Sequence, residues 1–217
     1  MRGNTANEET ITMSTTLKYA FRITHIDNIP HVLRCGLVRA DSPLRADDFI
    51  SIGDPQIIQV RGEREVKGYR INEFIPFYLG PRSPMLYVIQ HGYNGVQRVD
   101  AENIVYLVVR LDELVSNDVD CIFTDGHALS SLTNYYTKDK LPIIDKIVRY
   151  DDVYSSRWDS DTDLDLKRRK EAELLIKNDL PVQFIKGFVV YNEQAKVKLM
   201  AMGVDPVKIA VRPEYYF

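Results

Sequence analysis

The sequence has few cysteines and no long apolar run, and these absences exclude several classes of protein. The chain of 217 residues contains two cysteines, Cys35 and Cys121, which do not form a CxxC pair. Two cysteines are too few for a disulfide framework or a cysteine-rich zinc site, so we expect reduced thiols. No apolar run approaches the roughly 20 residues that span a bilayer. Residues 1–14 lack the apolar stretch of a signal peptide, and we expect a cytoplasmic protein.

The chain also lacks an overall basic charge and the familiar ligand-binding motifs. Its formal net charge is −3, so any contact with nucleic acid depends on local basic patches. There is no Walker loop and no GxGxxG, and the histidines have no zinc spacing. Residues 159–165 begin like a calcium loop, but Leu164 stands where glycine is needed and Lys170 where a bidentate glutamate is needed. We therefore expect no bound metal.

What the chain does contain is enough apolar material for one folded domain. Hydrophobic residues make up 45% of the sequence, with 13 Tyr and 8 Phe, and we expect a single domain over residues 15–217. Residues 1–14 are expected to be a disordered or vector-derived lead-in. Short apolar segments are interrupted by helical ones without regular βαβ alternation, which predicts an α+β fold. The predicted strands are 19–24, 74–78, 104–111, 121–124, 172–176, 187–191 and 208–212.

Helix signals, a capping residue before the helix or a glycine after it, occur in several segments. The predicted helices are one capped by Asp27 and stopped by Gly36, one from Pro84 capped by Ser83, one over Ala128–Tyr136, and one capped by Asn192 that ends at Gly203. Residues 40–72 and 138–165 are polar and irregular, which predicts two long loops. Loops of this length are often functional.

Five sequence blocks occur in an order and spacing that cover nearly the whole chain from about residue 19. They are FRITHIDNIPHVLRCGL (21–37), FIPFYLGPRSPMLYVI (74–89), CIFTDGHALSS (121–131), KEAELLI (170–176) and VRPEYYF (211–217). In this order the blocks resemble the DarT family, enzymes that transfer ADP-ribose from NAD onto a base of single-stranded DNA. The first two blocks carry most of this resemblance, since AELLI alone would be weak.

The resemblance implies a fold, a reaction and a partner. The fold is an ADP-ribosyltransferase fold in which two small packed β-sheets form an NAD cleft, with flanking helices. The enzyme would act as a bacterial toxin on thymine or guanine, opposed by a macrodomain antitoxin of the DarG type. Residues 125–170 would form the loop that reads the DNA substrate. Two other functions stay open: an ADP-ribosyltransferase acting on protein or water, and a non-catalytic nucleic-acid-binding module with the same fold.

The chemistry of this transfer needs a carboxylate beside the ribose. Cleavage of the bond to nicotinamide builds positive charge on the ribose, which a carboxylate near the 2′-hydroxyl stabilises. The same group can accept a proton from the attacking base. The resemblance gives this role to Glu173, with Glu171 as a supporting candidate on the same face if the segment is a strand. The alternative is a helix turn in which both glutamates form i,i+4 pairs with arginine or lysine, worth roughly 0.2–0.5 kcal/mol each.

A diphosphate is best bound by arginine, whose planar fork makes two hydrogen bonds at once. The resemblance implies an arginine from the loop before the FIPFY block. Arg61 is the first candidate, for both the catalytic and the cofactor role, and Arg64 is the second. For either one, a solvated loop charge is the alternative.

The specific blocks supply the other candidates for the cofactor pocket. Thymidine-modifying relatives usually have a histidine where this chain has Arg22, whereas Thr24 is retained. Arg22 would line the pocket as a donor to nicotinamide or phosphate, and the alternative is a charge at a strand edge. Tyr78 and Met85 are further cofactor candidates, with a packed core role as the alternative for the aromatic ring.

Binding of single-stranded DNA combines cationic groups for the phosphates with aromatic rings for the bases. Both kinds of residue are concentrated between 135 and 170. The predicted DNA contacts are Tyr150, Tyr154, Arg157, Trp158 and Arg169. The acidic run 159–165 would repel phosphate, and basic side chains near 167–170 could instead only flank the catalytic strand.

Overall fold

An eight-stranded sheet organises the fold in a computed structural model that describes residues 15–66 and 68–217. The strands are β1 (Tyr19–His25), β2 (Glu65–Val66), β3 (Tyr69–Arg70), β4 (Phe74–Tyr78), β5 (Ile104–Arg110), β6 (Cys121–Thr124), β7 (Tyr135–Thr137), β8 (Glu173–Lys177), β9 (Gly187–Val190) and β10 (Ile209–Val211). Their order in the sheet is β10-β9-β5-β1-β4-β8-β6-β7, and β2 and β3 form a separate hairpin. The predicted lead-in, residues 1–14, lies outside the described residues.

Short helices connect and cover the strands. The α-helices are α1 (Ile29–Cys35), α2 (Pro55–Glu63), α3 (Pro84–His91), α4 (Leu111–Ser116), α5 (Tyr150–Val153), α6 (Leu166–Lys170) and α7 (Glu193–Ala201). The 3₁₀ helices span Ile26–Asn28, Ile71–Glu73, Ala101–Asn103, Lys138–Lys146, Val182–Phe184, Pro206–Lys208 and Pro213–Tyr215. Within residues 15–66 and 68–217, no helix is long and apolar enough to cross a membrane.

The sheet consists of two four-stranded halves that meet at one residue pair. β1 is paired with β5 along its whole length, from Tyr19 to His25, whereas it pairs with β4 only at Phe21 and Tyr78. Two residues before Tyr78, Pro76 has no N–H with which to extend the ladder. Its carbonyl accepts a hydrogen bond from Arg22 Nη1 (2.9 Å) instead. The predicted α+β fold is confirmed, but the two small sheets of the prediction are joined into one sheet by the Phe21–Tyr78 pair, and β1 and β4 separate beyond it, from Arg22 onward.

The central strand β5 is buried on both faces, so the sheet has a core on each side. Val105, Leu107 and Val109 belong to the larger core. The alternate residues, Ile104 and Tyr106 among them, belong to a second core. This double burial explains the continuous run of β-branched and aliphatic residues that predicted a central strand.

Several capping predictions are confirmed and one is wrong. Ser83 Oγ accepts from Leu86 N (3.2 Å) at the start of α3. Asn192 Oδ1 accepts from Ala195 N (2.9 Å) at the start of α7. Asp27 does not cap α1, because it lies inside a 3₁₀ turn that precedes the helix.

The predicted helix over residues 128–136 is wrong. Tight turns occupy its first part, and Tyr135 and Tyr136 belong to β7, which pairs with β6. Aromatic residues favour strands, and a neighbouring strand edge was available to pair with them. In addition, Thr133 Oγ1 donates to His127 O (2.9 Å), a local bond that competes with helix formation.

The two predicted loops are more ordered than their composition indicates. Residues 40–72 contain α2 and the β2–β3 hairpin, and residues 138–165 contain a 3₁₀ helix and α5. α2 has no buried residue, so the apolar stripe that marks a core-facing helix is missing from its sequence. Its start is set instead by Asp54, whose carboxylate accepts from the N–H groups of Gln56 and Ile57, with Pro55 in the first turn.

Candidate active site

A pocket opens where β1 and β4 separate, and both halves of the sheet contribute to it. Its lining includes apolar side chains from α2, α3 and the segment 49–54. The pocket brings together the predicted residues Arg22, Thr24, Arg61, Tyr78, Met85 and Glu173. All the cofactor candidates except Arg64 therefore meet the proposed catalytic carboxylate in one cavity.

Glu173 and Arg61 form a buried ion pair in this pocket. Nη2 of Arg61 lies 2.7 Å from both Oε1 and Oε2 of Glu173. The Glu173 side chain is 1% exposed and the Arg61 side chain 14%. Glu173 is the first residue of β8 and stands directly opposite Tyr78 of β4, one strand from the split. The N–H of Ala128 donates a further hydrogen bond to Oε1 (2.9 Å).

Burial and charge act in opposite directions on the arginine of this pair. Burial lowers the pKa of Arg61, but the charge of Glu173 and its hydrogen bonds more than offset this, and the pKa is raised overall. The guanidinium therefore stays charged in the pocket. Burial, reinforced by Glu171 and Glu173, raises the pKa of Tyr78, so its phenol stays neutral.

Glu171 occupies a different position from the one expected. It ends α6 and precedes β8, so it does not alternate with Glu173 along one strand face. Burial raises its pKa to about 7, Lys167 opposes this shift and the charge of Glu173 adds to it. Glu171 is a titratable carboxyl close to the pair, and its supporting role stays a prediction.

Arg22 and Thr24 lie on β1 at the pocket wall and have different surroundings. Burial, together with the charges of Arg61 and Arg45, lowers the pKa of Arg22 to about 10. Thr24 Oγ1 accepts from Asn28 Nδ2 (3.0 Å). Asn28 in turn bonds the backbone of Ile50, accepting from its N–H and donating to its carbonyl. Thr24 thus supports the wall segment through Asn28, a residue that sequence reasoning missed.

Arg64, the second arginine candidate, does not line the pocket. It follows α2 directly and is exposed. Arg61 lies within α2 and lines the pocket, whereas the backbone of Arg64 is extended and leaves the helix; the start of α2 is set by the Asp54 cap. That Asp-Pro pair was the signal in the sequence that could have located the helix.

Within the described residues, no cluster of three or more His, Cys, Asp or Glu side chains is placed to hold a metal ion.

The aromatic candidates for DNA binding form two groups. Tyr150 and Tyr154 stack with ring centroids 4.2 Å apart. Tyr154 also packs edge-on against Phe21, the residue next to Arg22. Trp158 lies in the second group, against Tyr87 of α3. Of these two groups, the Tyr150–Tyr154 pair is the one that contacts β1, the strand that carries the pocket residues Arg22 and Thr24.

The two arginine candidates in this region differ in their partners. Arg157 is exposed. Arg169 bonds three aspartates: its Nε lies 2.7 Å from Asp152, its Nη2 2.6 Å from Asp163 and its Nη1 3.1 Å from Asp165. The acidic run therefore neutralises Arg169 and ties the segment to α5. A DNA contact by Arg169 stays a prediction, and it would need these bonds to be exchanged.

Comparison with known proteins identifies the family. The sequence profile of DarT, described as a single-stranded DNA thymidine ADP-ribosyltransferase, matches residues 21–217. The chain belongs to the DarT family. A DNA ADP-ribosyl transferase from Escherichia coli O127:H6 is 36% identical over 183 residues, which cover 82% of this chain and 83% of the relative.

Further DarT proteins agree with the architecture described above. The structure of Thermus sp. 2.9 DarT in complex with ADP-ribosylated single-stranded DNA superposes with a TM-score of 0.78 at 24% identity, covering 95% of this chain and 99% of the other. This likeness confirms the ADP-ribosyltransferase fold. A Thermosipho africanus protein that fuses a DNA ADP-ribosyl transferase to a DNA ADP-ribosyl glycohydrolase is 26% identical over 200 residues, 91% of this chain and 49% of the fusion.

Proposed function

We propose that this protein transfers ADP-ribose from NAD onto a base of single-stranded DNA. The observation that carries the proposal is the buried pair of Arg61 and Glu173 in a pocket between two half-sheets, in a chain that belongs to the DarT family. A carboxylate with 1% exposure is costly to bury unless it is paired, and here Arg61 supplies the partner inside the pocket.

The residues of the pocket fit the parts of NAD. Nη1 of Arg61 is buried and has no hydrogen-bond partner within the described chain, so it has a donor to offer to a diphosphate oxygen. Arg22 supplies a second cation on the same pocket wall. Apolar side chains such as Ile57, Met85 and Ile89 suit the flat aromatic rings of the ligand.

Glu173 performs the central step. NAD supplies a glycosidic bond to a good leaving group, nicotinamide. The Glu173 carboxylate stabilises the positive charge that grows on the ribose as this bond breaks. Glu173 then takes the proton that the attacking base nitrogen releases. Arg61 orients the carboxylate through its contacts with both carboxylate oxygens, and Tyr78, directly opposite on β4, stays a neutral phenol.

The acceptor is a thymine or guanine base of single-stranded DNA. Tyr150 and Tyr154 stack on each other, and Tyr154 contacts Phe21 of β1, the strand that also carries Arg22 and Thr24. Stacking on aromatic rings is the usual way to hold unpaired bases. Arg157 is exposed nearby along the chain and serves the phosphates.

The biological setting follows from the relatives. We propose that the protein is a bacterial toxin controlled by a macrodomain antitoxin, since a related protein carries a glycohydrolase on the same chain. An enzyme that removes the mark is a chemical counterpart to one that adds it. Because NAD and the chromosome are both in the cytoplasm, we propose that the protein acts there.

Mass spectrometry of oligonucleotides tests the proposal directly. The protein is incubated with NAD and four homopolymer-biased oligonucleotides, and in parallel with a protein extract. We expect one oligonucleotide to gain the mass of ADP-ribose, and the gain to be lost in Glu173→Ala. The control Glu193→Ala, an exposed change on α7, should retain activity. A mass gain on protein alone would favour the alternative acceptor, and no gain on either would contradict the enzymatic proposal.

A further inference from the structure

The turn from Thr124 to Ala128 contacts Glu173 at both its backbone and its carboxylate. Thr124 is fully buried, and its Oγ1 accepts from the N–H of Glu173 (3.0 Å). The same hydroxyl donates to Gly126 O (2.7 Å), so it fixes the shape of the turn as well. Four residues after Thr124, the N–H of Ala128 donates to Glu173 Oε1 (2.9 Å). One short segment therefore sets both where the residue stands and where its side chain points.

Arg168 connects this turn to the helix that leads into the catalytic strand. Its carbonyl accepts from the N–H of His127 (2.9 Å), and its Nη1 donates to Asp125 Oδ1 (3.0 Å). The remaining donors of the guanidinium go to Asp165, at 2.6 and 2.8 Å. The turn, α6 and the start of β8 are thus joined by bonds that do not involve Arg61.

The turn can approach α6 only because residue 126 is glycine. A Cβ at Gly126 would lie 2.4 Å from Arg168 Nη1 and 2.9 Å from the carbonyl oxygen of Arg168. Contacts this short do not occur for real Cβ atoms, and the carbonyl belongs to the backbone, which cannot rotate away. Any larger residue at this position would push the turn away from α6, and the N–H of Ala128 would move with it.

We propose that the turn Thr124–Ala128 is a preformed cradle for the Glu173 carboxylate, and that Thr124 and Gly126 are positioning residues for the transfer reaction. This inference rests on the proposed function, in which Glu173 must face the ribose. Catalytic groups need to be held within about 0.5 Å of the productive geometry. Arg61 is a long side chain on a helix without buried residues, whereas the turn connects two paired strands of the sheet, β6 and β7.

The test uses paired substitutions at Thr124 and steady-state kinetics. Thr124→Val keeps the shape of the side chain but removes the hydroxyl. We expect kcat to fall about 10- to 100-fold, the cost of a misplacement of about 1 Å, while KM for NAD stays within about threefold of wild type. Thr124→Ser restores the hydroxyl and should recover kcat to within about threefold. Because a loss of folded protein also lowers apparent kcat at constant KM, kcat is calculated per folded protein, with the folded fraction measured by circular dichroism.

Gly126→Ala tests the cradle without altering the hydroxyl. It should lower kcat in the same range, whereas the matched control Gly187→Ala, whose Cβ would meet Lys208 O at an ordinary 3.4 Å, should not. If Thr124→Val fails to fold, Gly126→Ala decides. Wild-type kcat in both variants, with Glu173→Gln inactive, overturns the cradle and leaves the proposed function standing. Full activity in Glu173→Gln overturns the role of Glu173 and the cradle with it, whereas the absence of any mass gain on oligonucleotides with the wild-type protein overturns the proposed function itself.

Discussion

The pair of Arg61 and Glu173 allows a prediction of both stability and activity. Glu173→Gln keeps the side-chain shape and removes the charge that receives two contacts from Arg61 and one from Ala128. With the carboxylate 1% and the guanidinium 14% exposed, breaking the pair leaves a cation with little access to water. We expect the free energy of unfolding to drop by about 3 kcal/mol, the lower end for buried pairs, and kcat to drop by about 10² to 10⁴.

Urea unfolding of a double-mutant cycle measures the interaction itself. Arg61→Met alone leaves the buried Glu173 carboxylate without its partner and should lower the free energy of unfolding by a similar amount. The double variant should lose less free energy of unfolding than the two single variants together, because it leaves no unpaired charge. We expect a coupling energy of at least about 1 kcal/mol. Oligonucleotide modification is followed in parallel for kcat. Strictly additive stabilities, or a kcat within about threefold of wild type in Glu173→Gln, would refute the reasoning.

Three further predictions concern charges around the site. Burial raises the pKa of Glu171 from 4.5 to about 7, so between these pH values only the unfolded chain is ionised at this residue, and the free energy of unfolding should fall as the pH rises from 4.5 to 7. Urea titrations of Glu171→Gln should lack this fall, and a pH profile identical to that of the wild type would contradict the prediction. Burial lowers the pKa of Lys170 from 10.5 to about 7, so between these pH values only the unfolded chain holds the proton, and the free energy of unfolding should rise from pH 7 to 10.5. Lys170→Met should lack that rise. The variant should also be less stable at pH 10.5, because two buried backbone carbonyls lose their donor at about 1–3 kcal/mol each. For DNA, Arg157→Ala should reduce the slope of log K against log salt by about 0.7 in fluorescence anisotropy, and an unchanged slope would show that Arg157 does not contact phosphate.

Local signals in the sequence predicted the parts of the fold that depend on local forces. The Ser83 and Asn192 caps act within one helical turn, and β5 is marked by a continuous apolar run. Where a tertiary partner decides, local signals failed. Residues 128–136 become turns and a strand because β6 offers an edge. The helix α2 was missed for a different reason: it has no apolar stripe, and its only local signal is the Asp54–Pro55 cap.

The site shows the same division. Arg61 and Glu173 are 112 residues apart in the chain, so their contact came from family resemblance and not from spacing. Asn28 supports the pocket wall through its hydrogen bonds to the backbone of Ile50, and Ala128 contacts Glu173 through its backbone N–H. No pattern of side chains in the sequence reveals either contact. Arg169 was predicted as a DNA contact from its charge, but it bonds Asp152 of α5 and two aspartates of the run that looked like a solvated acidic segment, Asp163 and Asp165.

The single pairing of Phe21 with Tyr78 has a consequence for how this enzyme can change over time. Each wall of the pocket is anchored in its own hydrogen-bond ladder, β1 to β5 on one side and β4 to β8 on the other. Substitutions such as Arg22 can therefore remodel one wall without shifting the register that fixes Glu173. Changes on the β1 wall of the pocket are thereby separated from the backbone pairing that positions the Glu173 carboxylate.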